Sequence, residues 1–214
     1  MSSHWKKIAM VRLSDVLDHG SAYTIWQRPF INSKLKPVLR DSGFANCRRV
    51  LDLGCGPGIN TPFFEHADYT GLDWNDDYIR YARKRFGRTF ISADACTWQP
   101  DPGKEFDLVF ANSFFHHIDD ENTERILERM SHSLSDDGVV HILDLVLPEK
   151  HRIGRWLAKN DRGDFPRSLD QWQDLFSRQF EPLHFEPYSI DFMGIGLWQM
   201  VHFKGRSRRA RTAT

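Results

Sequence analysis

The sequence predicts one α/β domain on a doubly wound, seven-stranded and mainly parallel sheet whose last strand is reversed. Three observations predict it. From Arg49 onward, short apolar runs ending in glycine or an acid alternate with helical repeats for more than 100 residues, the pattern of a parallel sheet with helices on its faces. The first run opens into a glycine turn, Gly54-Cys-Gly-Pro-Gly58. Near the end, two extended segments follow one another closely and read as an antiparallel pair.

The elements follow in order. Residues 1–46 are mixed and aromatic, and they read as a helical cap of one or two helices. Strands are expected at 50–53, 69–73, 89–92, 106–111, 139–146, 183–190 and 197–203. A short helix fits 59–65. A second fits 75–86, with Tyr78, Ile79, Ala82 and Phe86 on one face and Gly87 as its stop. A third fits 121–134 through Ile126, Leu127, Met130 and Leu134, ended near Gly138. Ser168 and Gln171 form a capping box for a fourth. No linker divides residues 47–204, and residues 205–214 read as a basic, disordered tail.

Composition narrows the function classes. Of 214 residues, 40% are hydrophobic and 13% aromatic, enough to bury a sizeable core. Lys plus Arg and Asp plus Glu number 29 each, whereas a protein gripping many phosphates carries a basic excess, so no nucleic-acid partner is expected. Cys47, Cys55 and Cys96 make no CxxC pair, which argues against a zinc site and a disulfide framework; no metal is expected. The N-terminus lacks an apolar signal core, and no run reaches the roughly 18 apolar residues of a membrane span. The expected setting is the cytoplasm. Oligomeric state is not legible.

The glycine turn is the strongest motif. A dinucleotide fingerprint would place its third glycine at position 59, but that residue is Ile59 and the glycine stands at 58. Pro57 also removes a donor that a pyrophosphate would use, so the loop suits a ligand without phosphates. Asp73, 21 residues after Asp52, ends the second strand, where a carboxylate can accept hydrogen bonds from a ribose diol. Its alternative duty is to cap the next helix, a task for which Asn75 and Asp76 are better placed. Asp94 follows the third strand, positioned to meet an adenine amine. Asn112 ends the fourth. His116 and His117 follow on the same rim, and an imidazole suits general-base work near neutral pH; the alternative is that one of them caps or packs the next short helix. His141 and His202 lie within strands and read as structural.

In order, DLGCGPG, GLDW, SADA and FDLVFANSFFHHIDD resemble the motif set of class I S-adenosylmethionine-dependent methyltransferases, most closely the small-molecule branch that includes quinone-biosynthesis enzymes. The resemblance covers about residues 49–147. It implies a Rossmann-like fold and methyl transfer from S-adenosylmethionine to a small-molecule substrate, releasing S-adenosylhomocysteine. By the same resemblance, Asp52, Gly54, Gly56 and Gly58 line the methionine portion and Asp73 holds the ribose. Trp74 covers the adenine, Asp94 and Ala95 meet it, and Asn112 stands near the sulfonium. His117 matches the family's usual histidine position better than His116. Tyr23, Trp26, Gln27 and Arg28 in the cap, and Trp156, Lys159, Arg162 and Phe165 after strand five, are candidates to shape the substrate pocket. Two other readings stay open: methylation of RNA or protein, and cofactor binding without transfer.

Overall fold

The computed structural model describes residues 30–147, 164–192 and 195–209. Seven strands form one sheet in the order β3-β2-β1-β4-β5-β7-β6. They are β1 (Arg49–Leu53), β2 (Asp68–Asp73), β3 (Thr89–Ser92), β4 (Phe106–Asn112), β5 (Leu134–Leu145), β6 (Phe180–Phe192) and β7 (Ile195–Ser207). The pairs among β1 to β5 are parallel, while β7 runs antiparallel to both β5 and β6. The reversed last strand is therefore wedged inside the sheet, and β6 forms the edge. Pro182 and Pro187 interrupt β6, as suits an edge strand that must not recruit another chain.

Helices cover both faces. One face carries α1 (residues 30–39), held to β6 and β7 through Tyr188 and Trp198, and α2 (Asp76–Phe86), packing Leu35, Val38, Ile79 and Ala82 with Phe64 and Phe110. The other face carries α3 (Asp120–Ser133) and α4 (Leu169–Gln179), which set Leu127, Met130, Trp172 and Phe176 against Leu51, Val109 and Ile142. The central strands β1 and β4 are buried on both faces, so their sequences read as near-continuous apolar runs.

Local signals set most boundaries. The Asn75 side chain accepts from the N–H groups of Asp77 and Tyr78, and Gly87 closes α2 in the left-handed region. The capping box of Ser168 and Gln171 is formed in full. Three expectations need correction. The helix expected at 59–65 is a 3-10 turn over Thr61–Phe64, with Pro62 in its first turn. Helix α3 stops at Ser133, and β5 starts at Leu134 because Leu134 pairs with Phe106 before a bulge. Gly138 is thus a point of close approach to the Phe106 carbonyl rather than a helix stop. Lastly, residues 205–207 are not tail but the end of β7, pairing with Val139, Val140 and β6. Arg208 then bonds the carbonyls of Ser177 and Phe180. Cap residues 23–28 and the stretch holding Trp156, Lys159 and Arg162 lie outside the described residues.

Candidate functional site

The parallel register brings the expected residues to one rim. Leu53 pairs with Leu72 and with Ala111, and Asp73 pairs with Ser92. The tips of β1, β2, β3 and β4 therefore carry Gly54, Asp73, Asp94 and Asn112 side by side at the carboxyl edge, where open α/β sheets bind ligands.

The loop after β1 depends on its glycines. Gly54, Gly56 and Gly58 all have positive φ (71°, 52° and 82°), a backbone that side-chain-bearing residues adopt only with strain. Their surroundings differ. A Cβ on Gly54 would enter the Phe114 ring, and one on Gly58 would meet Phe86, so both serve close packing. A Cβ on Gly56 would meet nothing within 4 Å; this glycine faces open space, as a cradle for a ligand must.

Asp73 anchors that cradle. Its carboxylate accepts from the Gly56 N–H and the Asn75 N–H, both at 2.9 Å. Burial raises its pKa, against the pull of those donors. Helix capping belongs to Asn75, so Asp73 is committed to the loop and retains lone pairs toward the rim. Trp74 beside it is 49% exposed. Asp94 is exposed and accepts from the Cys96 N–H at 2.8 Å, with Ala95 half-buried next to it.

Asp52 departs from expectation. It is 0% exposed, and its carboxylate accepts from Tyr69 Oη at 2.7 Å and from Asn60 Nδ2 at 3.2 Å. Burial pushes its pKa up to about 7, and those two donors temper the rise. It supports the loop from beneath instead of lining the ligand's path.

At the tip of β4, Asn112 Nδ2 donates to Asn60 Oδ1 at 3.2 Å. Ser113, which follows, is the one described non-glycine residue with positive φ (54°). Strained backbone of this kind concentrates at functional sites. The two histidines then part company. His116 is 4% exposed, with Nδ1 2.6 Å from Asp144 Oδ1. Asp144 also accepts from the N–H groups of Phe115 and Leu145. Burial works against the Asp144 charge, but His116 and these donors outweigh it and hold its pKa low. His116 is therefore a buried scaffold for the turn, correcting its expected place as a base. His117 is exposed, its ring 4.0 Å from that of His116.

Arg167 is buried. It donates to the carbonyls of Phe115 and Ile118 and to Asp120, and its guanidinium lies 4.7 Å from the Trp172 ring centroid. Sequence reasoning also missed Asn60, Tyr69, Ser113 and Asp144. The polar Asn60 inside an otherwise small and apolar turn was the one local signal among them. Among the described residues, no group of His, Cys, Asp and Glu is placed to hold a metal ion.

Residues 50–138 match a family model described as a methyltransferase domain. A trans-aconitate 2-methyltransferase of Rhizobium rhizogenes is 33% identical over 138 residues, 61% of this chain and 49% of the relative. One from Rhizobium etli is 40% identical over 112 residues, 50% of this chain and 42% of the relative. The chain thus spans about half the length of the curated relatives it matches. These names lend no support to the finer likeness to quinone-biosynthesis enzymes. Human N-acetylserotonin methyltransferase, solved with SAM, superposes with a TM-score of 0.68 at 18% identity, covering 92% of this chain and 56% of that one. The DhpI–SAH complex does so at 0.65 and 18%, covering 91% and 92%. Both share the fold. Over residues 50–138, then, the chain matches the methyltransferase-domain model, and its sheet shares the fold of the solved methyltransferases.

Proposed function

We propose that the protein binds S-adenosylmethionine on this rim and transfers its methyl group to a small-molecule acceptor. One observation carries the reading: the left-handed Gly56, open above, with its N–H held by Asp73. The residues suit such a ligand. Gly54, Gly56 and Gly58 admit close approach of the methionine portion, Asp73 accepts from the ribose hydroxyls, and Trp74, Asp94 and Ala95 flank the adenine. Asn112 stands by the sulfonium. When bound, the cofactor supplies an activated methyl group. The protein's own work is to align the acceptor with it, worth roughly 7–11 kcal/mol when geometry is tight. His117 is the base if the acceptor must lose a proton.

The names of the relatives make trans-aconitate the first acceptor to test. Equal numbers of acidic and basic residues, 29 each, support a metabolite over a nucleic acid. No helix among the described residues is long and apolar enough to cross a membrane. We place the activity in the cytoplasm.

The test is calorimetry followed by a metabolite screen that reads S-adenosylhomocysteine release. S-adenosylmethionine and its product should bind and raise the melting temperature by mass action, whereas NAD should not. Tight NAD binding with no S-adenosylmethionine binding overturns the proposal. Product release with an RNA acceptor alone would replace the metabolite reading.

A further inference from the structure

The polar side chains beneath the rim form a single directed chain. Lys34, on α1, is 7% exposed, and its Nζ donates to Ser113 Oγ at 3.1 Å. Ser113 Oγ donates to Asn112 Oδ1 at 3.2 Å, and Asn112 Nδ2 donates to Asn60 Oδ1 at 3.2 Å. Asn60 Nδ2 ends on the Asp52 carboxylate, which Tyr69 also reaches. Every donor points the same way, from a buried ammonium to a buried carboxyl group.

We propose that Lys34 is a positioning residue for the cofactor site, setting the orientation of Asn112 and Asn60 through Ser113. This inference rests on the cofactor-binding reading above. An ammonium can only donate. With its oxygen occupied by Lys34, Ser113 turns its own proton toward Asn112 Oδ1. The Asn112 amide nitrogen then faces Asn60 and presents the Asn60 amide nitrogen to Asp52. Flipping either amide would set oxygen against oxygen or nitrogen against nitrogen. The carboxylate end alone is a weaker guarantee, because burial pushes Asp52 up to about 7 and its protonated form can donate. The cation decides the direction, and a uniformly directed chain strengthens each of its bonds. Tyr188 Oη holds the Lys34 carbonyl at 2.8 Å, fixing the helix turn from which the ammonium reaches. The strained Ser113 is the joint between cap and rim.

The experiment is a double-mutant cycle on the full chain, reading the Kd for S-adenosylhomocysteine by calorimetry alongside the melting temperature. Lys34→Met and Ser113→Ala should each weaken binding about 5- to 10-fold. Because both act through one chain, the double variant should be no weaker than either single within about twofold, whereas independent sites would multiply. Lys34→Arg, which keeps a buried donor, should recover to within about threefold of wild type. Asp41→Asn breaks the Lys204 pair just past α1; it should lower the melting temperature and leave Kd unchanged. Kd for Lys34→Met within twofold of wild type, or full multiplication in the double variant, overturns the relay. If Lys34→Met does not fold, Ser113→Ala and Lys34→Arg still decide it: no loss in the first or no recovery in the second is a refutation. Wild type failing to bind S-adenosylhomocysteine refutes the cofactor reading itself, a result distinct from binding that ignores Lys34.

Discussion

Two of the buried polar groups on this sheet, one around Asp52 and one around His141 and His202, solve burial in opposite ways. Around β1, Asp52 keeps its place by hydrogen bonding: Tyr69 and Asn60 donate to it, and the chain behind Asn60 leads to a cation. Between β5 and β7, His141 and His202 share one bond of 2.9 Å, with ring planes 16° apart, and His202 Nδ1 has no partner among the described residues. Burial and the neighbouring His202 push His141 down to about 3; burial and His184 push His202 down to about 4. The histidines survive by staying neutral. The first group is directed from end to end, so it can hold a rim residue in one orientation. In the second, the two neutral rings share their single bond with each other, and no chain of donors leads from them to the rim. A chain of donors needs a fixed terminus before it can position anything.

The sharpest test of this contrast is stability. Asp52→Ala strands two buried donors, at about 1–3 kcal/mol each, and should lower the melting temperature by roughly 10 °C. His202→Leu removes a nitrogen with no partner among the described residues and strands only His141 Nδ1, so it should cost about 1–3 kcal/mol, roughly half as much. Comparable losses for both, by scanning calorimetry, would erase the distinction.

A carboxylate that faces the rim should behave differently from one beneath it. Asp73→Ala should weaken S-adenosylhomocysteine about 10- to 150-fold, the equivalent of about 1.5–3 kcal/mol for charge-assisted bonds. The protein should remain folded. An unchanged Kd in a folded variant would move the ribose elsewhere.

The pH dependence should also split. Unfolded histidines titrate near 6.5, above the folded values of about 3 and 4. Their contribution is thus present above 6.5 and is lost as pH falls toward the folded values. Asp52 runs the other way: its folded value near 7 exceeds 3.8, so its contribution is full below 3.8 and is lost as pH rises toward 7. Between these limits the two oppose each other. In urea titrations from pH 4 to 7, His202→Leu should flatten the acid loss and Asp52→Asn should steepen it. The reverse pattern would contradict the assigned directions.

The smallest effect is expected at His117. With a carboxylate acceptor no proton need leave, so His117→Ala should keep turnover within about threefold at every pH, whereas a fall of about 10²–10⁴ would make it the general base.

What was legible in the sequence was local. Asn75 and Gly87 bracket α2 within 12 residues of each other, and the βα turn shows its glycines in a row. What escaped depends on distant partners. Nothing near His116 announces Asp144, 28 positions on, and nothing near Lys34 announces Ser113, 79 positions away. The start of β5 was misplaced for a related reason, since Leu134 is a strand residue only because Phe106 pairs with it. The rim was foreseen because strand ends of a parallel sheet converge by topology. The bonds beneath it form between side chains that only the finished fold brings together.

The contact between Gly54 and Phe114 constrains how this loop can change. A Cβ at position 54 would lie 2.2 Å from the Phe114 ring, far inside van der Waals contact, while φ there is +71°. The two positions are therefore epistatic. Alanine at 54 is closed to this protein while the phenyl ring stands, and trimming Phe114 to a smaller residue relieves the clash but leaves the backbone strain. Any lineage that leaves glycine at 54 must first shed the ring sixty residues away, and it crosses a less stable intermediate to do so.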